Sequence, residues 1–203
     1  MKEIFENYLG KRKADIIAAV LELADRHGIR GITTKKIAEE VGFGEGALYK
    51  HIHSKTEAFA IILDLFEDLL NKQFRVLASS KLPADAALRE LFRYSLQFLE
   101  KYPGIFRILF SDELYIESKE NFSKFKDIIV FTIKMVGDII EKGAEGGIFR
   151  ADTKADMVSL RYVGLIHTAF TYWNVVEERH KGLTDIAMPI FDDFMESLTA
   201  KEK

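Results

Sequence analysis

Basic and hydroxyl-bearing side chains crowd a short part of this 203-residue chain: Lys35, Lys36, Tyr49, Lys50, His51 and Lys55. Between them runs "GFGEGA", Gly42 to Ala47, in the register G-x-G-x-x-A. Both features suit phosphate binding, through backbone N–H groups at helix starts and through lysine charge. A dinucleotide loop needs a strand before the glycines and a helix after them, inside a βαβ unit. Here the preceding residues are "KKIAEEV", in which Ile37, Ala38 and Val41 are spaced for a helix, and no β-rich run follows anywhere. The glycines therefore suit a bend between helices, and the phosphates suit a nucleic-acid backbone.

Other chemistry is poorly supplied. There is no cysteine, which removes disulfides, thiolate metal sites and cysteine nucleophiles. His51 and His53 are two apart and face different ways on a helix, while His167 and His180 are isolated. No nucleophile–base pairing is legible, and Asp192–Asp193 reads as a solvated helix face. We expect no catalytic residue, no metal site and no cofactor.

The elements that would position the basic cluster are helical almost throughout. Hydrophobic residues are 48% and charged residues 30%, with only 3 prolines, so the expected fold class is all-α with about nine helices. The first runs about 11–27 and stops at Gly28. Thr33 or Thr34 caps a short helix ended by Gly42, and a second short one spans about 45–52. Ser54, with Glu57 three residues on, forms a capping-box pattern for a long helix of about 55–79. Further helices are expected at about 84–101, from Pro103 through "GIFRILFSDEL", and at about 120–144, 154–179 and 184–200. Pro189 marks a kink or a later start in the last. Two short helices at a sharp angle need a small residue in the first, a glycine at the bend and an apolar anchor in the second. Ala38, Gly42 and Leu48 supply these.

The net charge is -3, but it is unevenly spread: residues 1–57 carry ten Lys/Arg against nine Asp/Glu, and the remainder nineteen against twenty-three. The N-terminus lacks an apolar signal core, and the longest apolar run, "DIIVFTIKMVGDII", is interrupted by Lys134. A cytoplasmic protein without a membrane partner is the expectation.

The stretch "ITTKKIAEEVGFGEGALYKHIHSKTEAF" resembles the DNA-binding module of the TetR family of bacterial transcriptional regulators. The matching features are the Thr pair, I-A-x-x-V-G, G-x-L-Y-x-H and S-K-x-E-x-F. The resemblance implies a homodimer placing two recognition helices in successive major grooves of a palindromic operator, and a repressor released by a small effector. It divides the chain into a three-helix helix-turn-helix domain, residues 1–54, and a larger ligand-binding and dimerisation bundle, 55–203. Carried over by position, Thr34, Gly44, Glu45, Gly46, Ala47, Tyr49, Lys50, His51 and Lys55 face double-stranded DNA, and charge adds Arg12 and Lys36. The chain departs from the family at Gly44, Glu45 and Ala47, where Ser or Thr and Lys are frequent. Glu45 suits a cytosine amino group or a solvated helix start, not a phosphate.

Phenylalanine is abundant, at 16 residues, and aromatic stripes are usually core. TetR-like bundles enclose an inducer, however, and this implies a pocket for an apolar or aromatic effector. Its lining would be Phe66, Leu70, Phe92, Phe106, Phe110, Phe131, Met135 and Phe170, with Ser95, Tyr115, His167, Tyr172 and Trp173 as polar ends. The dimer interface would come from the last two helices through Val163, Gly164, Tyr172, Phe191, Phe194, Met195 and Leu198. Two other readings stand. "EGALYKHIHSKTEAF", "FEDLL" and "YPGIFRIL" also resemble TetR-like nucleoid-occlusion proteins, which need a protein partner and no inducer. An all-α carrier or enzyme using the apolar chamber is a third.

Overall fold

The computed structural model describes residues 2–176 and 179–199. The regular structure among them is helical: α1 Lys2–Leu9, α2 Lys11–His27, α3 Thr34–Val41, α4 Glu45–Leu48, α5 Lys55–Ser79, α6 Ala84–Lys101, α7 Pro103–Leu109, α8 Asp112–Glu117, α9 Lys119–Glu145, α10 Ala155–Val175 and α11 Leu183–Glu196. The all-α class holds, with eleven helices where nine were expected. Lys2–Leu9 forms a helix of its own. The "GIFRILFSDEL" run breaks at Phe110, and Ser111, in extended backbone, starts a new helix. Pro189 lies inside α11 without ending it.

By contacts the chain forms two compact units: Met1–Leu70 with Tyr102–Ile128, and Asn71–Lys101 with Ile129–Lys203. Helices α5 and α9 each supply residues to both.

In the first unit α2 is the central element. Ala14, Ile16 to Leu21, Leu23 and Ala24 are all buried, so nearly every face of the helix meets a neighbour. Phe5 of α1 covers one side, its ring 5.4 Å from that of Tyr102. Helix α7 packs on another side at Gly104, where a Cβ would lie 2.0 Å from the Leu21 carbonyl oxygen. That backbone approach is what only glycine permits. Ion pairs Arg26–Glu40 and Arg107–Asp25 tie α2 to α3 and α7.

In the second unit α6 packs against α10 and α11. Phe92 stacks on Phe191 at 4.2 Å, and Tyr162 meets Phe92 edge-on at 5.5 Å. Burial pushes the Tyr162 phenol well above its usual range. The turn after α9 is held to the C-terminal segment by Arg150 N–H donating to the Leu198 carbonyl at 2.9 Å.

Candidate nucleic-acid interface

The Thr33 hydroxyl oxygen accepts from Lys36 N–H at 3.2 Å and caps α3. Ile37 and Ala38 face inward, fully buried. Gly42 ends the helix in the left-handed region, φ 76, and the next N–H, of Phe43, returns to the Ala38 carbonyl at 2.8 Å. The chain leaves Gly44 extended and enters α4, which is regular only to Leu48. Tighter bonds to the third residue back carry it on, Lys50 N–H to Ala47 O at 3.3 Å and His51 N–H to Leu48 O at 2.9 Å, and Ile52 N–H then returns to Leu48 O at 3.0 Å. Leu48 and Ile52 are fully buried and pin the segment from beneath. Ser54 then caps α5, accepting from Glu57 N–H at 3.1 Å, while the Glu57 carboxylate accepts from His53 N–H at 2.7 Å. This reciprocal pair fixes the direction in which α5 starts.

The helix-turn-helix expected from Ala38, Gly42 and Leu48 is therefore present. Its outer ridge consists of Gly44, Glu45, Gly46, Ala47, Tyr49 and Lys50, all exposed, with Lys36 exposed on α3. Nothing lies within 4 Å of where a Cβ at Gly44 or Gly46 would stand, so the protein's own packing does not require glycine there. The Thr34 and Tyr49 hydroxyls lie 3.4 Å apart, joining α3 to the ridge. The Arg12 guanidinium sits over the Phe43 ring at 5.4 Å, and that ring is 6.3 Å from the half-buried His51. Arg12 thus reaches the turn through an aromatic contact that spacing did not suggest. Lys55 is engaged too: its Nζ lies 3.0 Å from the Glu117 carboxylate.

The acidic partners were missed by sequence reasoning. Helix α8 reads Asp112-Glu-Leu-Tyr-Ile-Glu117 and pairs Glu113 with Arg30 and Glu117 with Lys55. The Ser111 hydroxyl, donating at 2.8 Å, and the Arg30 guanidinium hold the Glu113 carboxyl down at about 2. Buried Asn121 donates from Nδ2 to the Thr56 carbonyl at 3.1 Å, bracing the first turn of α5. These partners are distant in sequence, and no local pattern marks them.

The residues expected to line an effector pocket are distributed over both units. In the first unit Phe66, with Phe5, Ile17, Leu21 and Ile62 among others, borders a gap too tight for a water molecule. Leu70 is half-buried, and Phe106 lies against Phe110 at 4.5 Å. In the second unit Phe92 is in the Phe191 stack, and Phe131 meets Phe74 edge-on at 6.2 Å. Ser95 donates to the Leu91 carbonyl at 2.9 Å. Met135 and Phe170 are buried, His167 is exposed, and Trp173 donates Nε1–H to the Lys181 carbonyl at 2.7 Å. The Tyr115 side chain lies outside the described residues. An open cleft of about 170 Å³ exists in the second unit, walled by Phe74, Leu77, Ala78, Ala87, Ile139 and Ile148 with Asp138 and Lys142 at its polar side. None of the expected lining residues borders it.

The residues expected at a dimer interface differ in their exposure within the single chain. Phe191, Phe194, Met195 and Leu198 are at most 5% exposed within the single chain, because α11 turns its apolar face to α6 and α10. Gly164 and Tyr172 are exposed and Val163 is half-buried. The apolar residues exposed beside them are Met157, Leu160, Val175 and Ile190. Among the described residues no helix is long and apolar enough to cross a membrane, and no three His, Asp or Glu side chains gather as metal ligands do.

Comparison with known proteins agrees with this geometry. Residues 16–60 match the family described as bacterial regulatory proteins, tetR family. Nucleoid occlusion factor SlmA of Edwardsiella ictaluri is 32% identical over 113 residues, which are 55% of this chain and 57% of that protein. The match thus covers little more than half the length of these relatives. Among solved structures, the ketosteroid transcriptional regulator KstR2 of Mycobacterium tuberculosis superposes with a TM-score of 0.79 at 22% identity, covering 94% of this chain and 96% of that one. FadR from Bacillus subtilis, solved in complex with stearoyl-CoA, gives 0.71 at 18% identity, over 90% and 97%. Residues 16–60, which form the helix-turn-helix, thus match the tetR family of bacterial regulatory proteins, and the chain as a whole shares the fold of these solved structures.

Proposed function

We propose that this chain is a transcriptional repressor that binds a palindromic operator as a homodimer and is released by a small apolar effector. In this reading residues 1–54 bind DNA, and residues 55–203 take the effector and the second copy. The observation that carries it is the ridge of exposed Gly44 to Ala47, Tyr49 and Lys50 over buried Leu48 and Ile52. It is a rigidly seated surface with open space at two glycines, as close approach of another backbone requires. Thr34, Lys36 and Tyr49 suit phosphates, and Glu45 and Ala47 suit base edges. The setting is the cytoplasm, where the operator is.

The test is fluorescence anisotropy with DNA from immediately upstream of the chain's own reading frame, at several KCl concentrations. Gly46→Leu is expected to keep the unfolding midpoint, since the site is open, and to lose at least about tenfold in affinity, as one lost close contact to DNA would. Lys50→Ala is expected to weaken binding and to reduce the salt slope by about one counterion. Absence of any complex at low salt would refute the reading.

For the effector, the fold shared with the stearoyl-CoA-bound FadR supports an apolar body. The cleft beside Phe74, Leu77 and Ile139 offers apolar walls, with Lys142 placed for an anionic head. Its volume is below the roughly 300 Å³ usual for drug-sized ligands, so this reading requires the cleft to widen. Release of DNA follows only if effector binds the two states unequally. A second reading draws on the 32% identity to nucleoid occlusion factors. It makes the chain a binder of scattered chromosomal sites with a protein partner, and genome-wide occupancy away from promoters would favour it.

A further inference from the structure

Helix α8 places three carboxylates in six residues directly against the DNA-binding module. Glu113 and Glu117 are four apart and so share one face. Leu114, 3% exposed, anchors the helix. Glu113 is locked between Ser111 and Arg30. Glu117 reaches Lys55, whose side chain is 27% exposed against 40% for its partner. The segment cannot drift from this position freely. Asn121 ties the start of α9 to the Thr56 carbonyl, and Lys124 pairs with Asp64 further along α5.

We propose that Glu117 competes with DNA phosphate for Lys55, making α8 a built-in anionic brake on DNA binding. The inference rests on the reading that Lys55 faces phosphate. A carboxylate 3.0 Å from Nζ places a second negative charge beside any phosphate that Lys55 contacts. The two anions repel, and the pair must loosen for the phosphate to approach. Freed Glu117 then attracts a cation from solution, offsetting one of the counterions that DNA releases. The brake therefore lowers both the affinity and its salt dependence. A movement that carries α8 away would strengthen binding, and one that presses it closer would weaken binding.

The experiment measures anisotropy of the upstream DNA fragment with full-length wild type, E117Q, K55A and the double variant, from low to moderate KCl. E117Q is expected to bind about two- to fivefold more tightly at low salt, the range of a partly exposed ion pair. Its slope of log affinity against log salt should be steeper by up to about 0.9. K55A should bind more weakly, and in the K55A background the gain from E117Q should largely vanish. Unchanged or weaker binding by E117Q overturns the proposal, as does a gain that persists undiminished without Lys55. K55A binding as wild type also overturns it while leaving the helix-turn-helix reading intact; that reading fails only if wild type binds no DNA. Unfolding midpoints of all four proteins check that the partly exposed substitutions leave the fold unchanged.

Discussion

Single residues on this surface act through partners that local spacing does not reveal, and Glu113 is the sharpest case. Its carboxyl accepts from Ser111 and pairs with Arg30, and both hold it at about 2 against the usual 4.5. A depressed carboxyl contributes stability that is fully present above its unfolded value and disappears as pH falls through its folded one. For Glu113 that window runs from about 4.5 down to about 2. Urea midpoints measured across pH should therefore show a constant gap between wild type and Glu113→Gln above the window. Within it the gap should close steadily. A gap that stays constant to the lowest pH would mean that the Arg30 and Ser111 contacts do not persist in solution. Glu113 and Arg30 are 83 positions apart and Glu117 and Lys55 are 62 apart, and only the folded chain brings them together.

At the scale of elements, close approach matters more than propensity. Gly104 sits in the first turn of α7, and a Cβ there would meet the Leu21 carbonyl at 2.0 Å, with the Leu21 carbonyl carbon at 2.8 Å. Gly104→Ala would gain helix propensity in isolation. Here the neighbour is backbone within a nearly all-buried helix, so α7 must shift, and overpacking of this kind costs about 1–3 kcal/mol. Chemical denaturation should show that loss, and an unchanged midpoint would refute the packing argument. The same contrast decides what the sequence made legible. Helices α2, α3 and α5 were readable because periodic apolar residues and the Thr33, Gly42, Ser54 and Glu57 signals agree. So were the bend at Gly42 and the exposed ridge after it. Helix α1 was not: Ile4, Phe5, Tyr8 and Leu9 are spaced for a helix, but the pattern lasts only eight residues before Gly10, too short for periodicity to decide. Neither was the break at Phe110, because "GIFRILFSDEL" keeps a helical period through the residue where the backbone turns. The effector lining was illegible for a different reason. Phe92, Phe106 and Phe170 have the composition of a pocket, and only tertiary packing shows that their rings lie against Phe191, Phe110 and Trp173 respectively.

At the scale of the whole molecule, the proposed homodimer raises the question of which face remains for a second copy. On α10, Val158, Ser159, Tyr162, Ala169, Phe170 and Trp173 face inward. Met157, Leu160, Gly164, Tyr172 and Val175 are exposed, at spacings of three, four, eight and three residues, which is one stripe along the helix. Small Gly164 in its middle would let another helix approach closely, and Ile190 on α11 adds a further exposed apolar residue. Such a stripe suits an isologous helix-on-helix contact about a twofold axis, the symmetry a palindromic operator demands. The buried residues of α11 must then behave differently from the stripe. Leu160→Asp should leave the chain folded, since Leu160 is 52% exposed, yet shift it to monomer in light scattering after size exclusion. Operator affinity should drop with it, because one recognition helix reads only one half-site. Phe191→Ala should instead cost about 3–5 kcal/mol of stability by opening the stack with Phe92. Its effect on dimerisation should be no larger than that loss explains. If Leu160→Asp remains a dimer at micromolar concentration, the α10 stripe is not the contact, and the second copy must use a different face.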